Sequence, residues 1–200
     1  LESKLNQATR YNENSLLMRI DPYHKQVAVL TFAVNADAAV LAQEMPESLA
    51  SSSSVDWKAD REDRIADRYL ALANGTPLRE LMAGTDYAQV EDAYLRELIS
   101  INKNARGILT IEACATEYGS GMALAEKIYS YCLSKQEAIA ATAGAHTIEL
   151  VNTATLTRID LPLMDAQLLS QNQPTIISTR LIEKINELEN LQEPATLLLT

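Results

Sequence analysis

The sequence predicts an α+β fold dominated by helices, with about six to eight helices packed on a small sheet of two to three short strands. Three observations lead there. The 200 residues are 47% apolar with six Gly and six Pro, a globular composition far from that of disordered chains. Apolar residues recur at helical spacing through most of the chain. Only three short runs look like strands, and they lie far apart, so any sheet must pair non-locally. An all-α bundle with one hairpin is the alternative. The length suits a single globular domain over residues 1–200, large enough to bury roughly 70% of the unfolded chain's surface.

Leu1, Leu5 and Ala8 stand at helical spacing in a short helix within residues 1–20, with a second turn around Leu16, Leu17 and Ile20. Asp21-Pro22 stops it, since the residue before a proline is pushed out of the helical region. Gln26–Val34 is nearly continuously apolar and reads as a buried strand. Asn35 is placed to cap a helix over Ala36–Met45, which Pro46 ends. Residues 46–55, with four consecutive Ser, read as a flexible surface loop. Asp56–Ala73 reads as a helix in which Trp57, Ile65, Tyr69 and Leu72 form a narrow apolar stripe. Charge fills most of its other positions, and Asp60 with Arg64, and Arg64 with Asp67, have spacings that pair on a helix surface. Asn74-Gly75 stops this helix, Thr76-Pro77 starts a short one, and Gly84 ends that.

From Thr85-Asp86, the steps of three and four between Tyr87, Val90, Tyr94, Leu98 and Ile101 predict one long helix to Asn104. Ile108–Ala115 alternates as a strand. Ser120–Ala143 reads as a continuous helix whose Met122, Ala125, Tyr129, Cys132, Gln136 and Ile139 form a packing seam. Thr147–Ile159 is a strand, or a hairpin bent near Asn152. A short helix over Asp160–Gln171 and a last one over Ile176–Gln192 follow, separated by Pro174-Thr175. Leu181, Ile185, Leu188 and Leu191 form the stripe of the last helix; Leu197, Leu198 and Leu199 form an apolar tail.

Seventeen Lys and Arg stand against 27 Asp and Glu, a net charge of −10. Nucleic-acid binding needs a cationic surface that displaces counterions, and no run of Lys or Arg supplies one. Arg61, Arg64 and Arg68 are interleaved with Asp60, Glu62, Asp63 and Asp67, which predicts a solvated, self-neutralising helix face. An acidic chain is also repelled by anionic lipid, and no stretch approaches the ~20 apolar residues of a spanning helix. The expected partners are therefore proteins or further copies of the chain, with no nucleic acid, membrane insertion or small molecule. Two Cys are too few for a disulfide framework or a zinc cluster, which favours a reducing cytoplasm.

The chemistry-bearing residues form no constellation by spacing. Gly119-Ser120-Gly121 could cradle an anion at a helix start, but it lacks the three spaced glycines or the Gly-Lys-Ser/Thr that phosphate loops use; a turn with a Ser cap is the plain reading. Cys114 sits among Glu112 and Glu117, which disfavour a thiolate, so a buried structural cysteine is expected there and at Cys132. His146 and Glu149 fall on a predicted strand, where residues three apart face opposite sides. Trp57 is either a core anchor or an interface hot spot. No metal or cofactor is expected.

The function this predicts is a non-enzymatic structural or adaptor subunit of a larger protein assembly, with virion or secretion-type machinery among the compatible settings. Its interface candidates are Trp57, Leu181, Ile185, Leu188, Leu191, Leu197, Leu198 and Leu199. The alternative is a small enzyme or ligand-binding domain with a site near Cys114, Ser120 and His146, which requires the fold to bring those three together.

Overall fold

The structure is a computed structural model and describes residues 1–37 and 54–197. The chain divides into two compact units, residues 24–159 and residues 1–23 with the segment from Asp160 onward. The described residues form seven α-helices and four strands: α1 (Glu2–Asn14), β1 (Lys25–Ala36), α2 (Ser54–Gly75), α3 (Leu78–Leu81), α4 (Asp92–Glu97), β2 (Ile99–Ala105), β3 (Ile108–Cys114), α5 (Gly121–Ser134), α6 (Gln136–Ala143), β4 (His146–Arg158) and α7 (Leu161–Leu197). The sheet has four strands, which overturns the expected two to three and the all-α alternative; the chain remains α+β.

The four strands pair antiparallel in the order β2-β3-β1-β4. β1 is the hub. Its Leu30, Phe32 and Val34 share one face with Leu109 and Ile111 of β3, and all are almost fully buried. α2 and α5 lie against β1 and β3, adding Ile65, Ala66, Tyr69, Leu124, Ile128 and Cys132 to that core. Phe32 meets the Tyr69 ring edge-on at 6.5 Å and the Tyr129 ring at 5.3 Å. The opposite face is mixed: Val27, Val29 and Ala33 of β1 share it with Thr31, the Thr31 and Thr110 hydroxyls lie 3.1 Å apart, and Asn104 Nδ2 donates to Thr110 Oγ1 at 2.9 Å. Alternation along β1 and β3 separates the two faces.

The extra strand is β2, where the sequence predicts the end of a long helix. That stretch instead makes a 3-10 turn (Asp86–Gln89), the six-residue α4, and then β2. Tyr87, Val90, Leu95 and Leu98 are still buried, so the apolar spacing is used by the core without one continuous helix. Ile99-Ser-Ile-Asn-Lys alternates, and it pairs with β3 through a tight hairpin. Gly107, at φ 68°, takes the left-handed conformation that closes it.

Asn35 does not cap a helix: it pairs with Thr147 inside the sheet, and Ala36 ends β1 opposite His146. The remainder of the predicted 36–45 helix, and the Ser-rich loop up to Ser53, lie outside the described residues. β4 is one strand with a bulge, since Thr31 faces Asn152 and Phe32 faces Leu150, leaving Val151 as the extra residue. The helix predicted over Ser120–Ala143 is divided at Lys135 into α5 and α6.

In the other unit, α7 runs 37 residues, about 55 Å at the usual rise. Asp160 caps it, its Oδ1 accepting from Leu163 N at 3.0 Å. Pro174 does not divide it as the sequence predicts. A proline inside a helix removes the donor to the carbonyl four residues earlier, here Ser170 O. Asn12 of α1 donates its Nδ2 to that carbonyl at 2.9 Å, and Ser170 Oγ donates back to Asn12 Oδ1. The lost bond is replaced by a partner from outside the helix, and the helix continues.

Candidate functional site

The candidate surface is α7. The chain preceding β1 runs antiparallel to it: Asp160 N donates to Pro22 O, Gln167 Nε2 donates to Ile20 O and Leu17 O, and Asn12 meets Ser170. Leu163 is buried, and Gln167, Ser170, Pro174, Ile177 and Leu181 are all partly covered. Their steps of four and three define one stripe. Ile185 and Leu188 extend the same stripe and are exposed, Leu188 at 61%.

A second apolar group lies around the other side. Leu161, Leu168, Leu169 and Ile176 fall within one arc at 100° per residue, and each has at least half of its surface exposed, Leu169 73%. Ile182 is exposed on a third line. A helix carrying large aliphatic residues on opposite sides is the pattern of one buried on both. Despite this, no described helix is long and apolar enough to cross a membrane: in α7, Asp165, Gln167 and residues 170–173 are polar, and Arg180, Glu183, Lys184, Glu187 and Glu189 are charged.

The structure thus places Leu181, Ile185 and Leu188 on one stripe, with Leu191 and Leu197 farther along α7; Leu198 and Leu199 lie outside the described residues. Leu161, Leu168 and Leu169 fall within the helix predicted over Asp160–Gln171 without forming a stripe of steps of three and four, and Ile176 joins their arc only because α7 continues through Pro174. Trp57 lies in the first turns of α2, half-buried. Arg64 Cζ lies 6.0 Å from its ring centre, and its buried indole Nε1 meets no acceptor among the described residues.

The residues of the enzyme alternative do not converge. Cys114 pairs with Val27 near one end of β1, and His146 with Ala36 at the other, about 30 Å away at strand rise. Ser120 caps α5, its Oγ accepting from Ala123 N at 3.2 Å. Gly121 is required by packing rather than by a ligand, because a side chain there would run into the Ala113 carbonyl. His146 is held in the core: Nδ1 donates to Gly144 O at 2.8 Å, so in the neutral ring Nε2 accepts from Tyr69 OH, also at 2.8 Å. Burial pushes the Tyr69 hydroxyl well above its ordinary value and the Cys132 thiol up to about 12. Cys132 is an inert thiol at neutral pH. Among the described residues, no group of three His, Cys, Asp or Glu is placed to hold a metal.

The charges of α2 are sorted, which corrects the expected self-neutralising face. Lys103 of β2 reaches both Asp63 and Asp67, at 2.9 and 2.6 Å, and Arg106 of the hairpin reaches Asp60 at 3.2 Å. Glu62 accepts from Ala36 N at 3.1 Å and pairs with Lys58 at 3.5 Å. The Lys103 bonds hold the Asp63 carboxyl below its ordinary value and raise the Lys103 ammonium. Asp60, Glu62, Asp63 and Asp67 are thus engaged by β1, Lys58 and the β2–β3 hairpin, while Arg61, Arg64 and Arg68 lie elsewhere around the helix.

Comparison with protein-family models and with the curated proteins found no match to this chain.

Proposed function

We propose that this chain is a non-enzymatic structural or adaptor subunit of a larger protein assembly, joined to a protein partner or to further copies of itself through α7. The observation that carries the reading is the row of large aliphatic residues exposed on both sides of that helix, Leu161, Leu168, Leu169 and Ile176 on one and Ile185 and Leu188 on the other. Full burial of one such side chain stabilises by about 1.5–3 kcal/mol. Covering the exposed halves of this set contributes on the order of 5–10 kcal/mol, comparable to the 4–15 kcal/mol estimated for the freedom lost on association. The separation of Cys114 from His146 supports a docking role over the catalytic alternative.

Sedimentation of the purified chain, with pull-down from its native source, tests this. Leu169→Glu together with Ile176→Glu is expected to lower the associated mass or release the partner while leaving the circular dichroism of the chain unchanged. A strictly monomeric chain whose pull-down is unaltered by the two substitutions overturns the reading.

A further inference from the structure

The arginine-bearing side of α2 forms a cleft with the end of α6. It is an open cleft of about 530 Å³, lined by Arg61, Arg64, Ile65 and Arg68 together with residues 140–144, with Arg64 and Arg68 exposed to solvent. That is within the usual range for a small-ligand site. Among the described residues, no carboxylate lines it, and Asp60, Glu62, Asp63 and Asp67 of α2 are engaged by Lys58, Lys103, Arg106 and Ala36 N.

Two of the arginines carry the argument. Arg64 lies over the Trp57 ring, and Arg68 donates one bond, from Nη1 to Thr142 Oγ1 at 2.7 Å. Each guanidinium has five N–H donors, so one hydroxyl and one ring face leave most of them uncommitted among the described residues. The competing explanation is that they neutralise the C-terminal end of α6. A helix end is worth roughly half a negative charge. Two guanidiniums against that leave about one and a half positive charges at a cleft, in a protein whose net charge is −10. The wall is built close: Gly144 has φ 95°, and any side chain there would collide with the Arg61 guanidinium.

We infer that Arg64 and Arg68 form, with the end of α6, a binding site for a small soluble ligand carrying a phosphate or diphosphate group. Positions four apart on a helix lie about 6 Å apart at Cβ, which lets two guanidinium forks grip adjacent oxygens of one tetrahedral group or of two linked ones. The same phosphate chemistry occurs on lipid headgroups, but an anionic bilayer surface repels so acidic a chain.

Calorimetric titration of the full chain with inorganic pyrophosphate at fixed ionic strength tests this. Saturable binding is expected, and Arg64→Gln with Arg68→Gln is expected to weaken it about tenfold or more, as loss of charge-assisted bonds implies. Arg64→Lys with Arg68→Lys keeps the charge and loses the forks; it is expected to bind more weakly than the parent and serves where the Gln pair fails to fold. No saturable binding, or equal affinity in parent and variants, overturns the site. Citrate binding as tightly as pyrophosphate overturns the phosphate assignment. Capture by phosphatidylglycerol vesicles without binding of pyrophosphate overturns the soluble-ligand form.

Discussion

Asn12 and Pro174 show how one side chain can decide whether a helix survives. The Asn12 amide supplies Ser170 O with the donor that Pro174 cannot, so Asn12→Ala should leave a partly buried carbonyl unpaired. The expected loss is about 1 kcal/mol, the low end for an orphaned polar group. It would be read from denaturant unfolding, with faster amide exchange in the turn after Ser170. The Pro174 position was plain in the sequence, but its partner was not, because Asn12 lies far away in the chain. Cys132 gives a second test at this scale. Its thiol ionises near 9 when exposed and is pushed up to about 12 by burial. A raised folded value means that the unfolded chain loses its proton first. Stability from this group is therefore complete below about pH 9 and falls as pH rises toward 12, by about 1.4 kcal/mol per pH unit. Tyr69, raised for the same reason, adds to the fall. Cys132→Ala should flatten the alkaline limb of stability against pH, and thiol reagents should label Cys132 only as the chain unfolds.

At the scale of elements, the sequence was legible where one local pattern had one use. Gln26–Val34 lies within β1 and Asp56–Ala73 within α2: the near-continuous apolar run of β1 suits a strand with buried residues on both faces, as Val27 and Ala28 show, and the stripe of α2 meets the core through Ile65 and Tyr69. It misled where two structures share a pattern. Tyr87, Val90, Tyr94, Leu98 and Ile101 step like a helix, yet the chain there forms a turn, α4 and β2, with Tyr87, Val90 and Leu98 buried and Tyr94 and Ile101 partly covered. The hairpin from Ile99 to Cys114 is stabilised by pairing with β1, which no local window contains. The link from that hairpin to α2 can be tested through Lys103, which bridges Asp63 and Asp67. With Lys103→Gln, the Asp63 carboxyl should rise toward its ordinary value, as followed by carboxyl-carbon NMR across an acid titration. In the parent, the depressed Asp63 value adds stability above the carboxylate range that is lost as pH falls through it; the variant should lose less on acidification.

For the whole molecule, composition spoke to charge but not to its placement. A net charge of −10 is read directly from the sequence, while the sorting of α2 into a carboxylate side and an arginine side is not. The interleaving of Arg61, Arg64 and Arg68 with acids suggested mutual neutralisation. Lys103 and Arg106, some forty residues on, engage Asp60, Asp63 and Asp67 instead. The cleft beside the arginines appears only once α6 is in place, which is why no small-molecule site was expected. The docking surface was legible in part. Leu181, Ile185 and Leu188 could be seen as a stripe, but Ile176 joins Leu161, Leu168 and Leu169 only on a helix that the proline seemed to forbid. Loss of assembly on Leu169→Glu with Ile176→Glu, and of pyrophosphate binding on Arg64→Gln with Arg68→Gln, would separate the two surfaces.

The place of β1 at the centre of the sheet has a consequence for biosynthesis. Every residue pair joining β1 to β4 is separated by about a hundred residues or more of chain. At the usual pace of translation, roughly 5–20 residues per second, β1 waits on the order of 5–20 s before that neighbour is made. During that interval its hydrogen-bonding edge can recruit another nascent chain, so the yield of native protein should depend on how quickly the ribosome delivers β4.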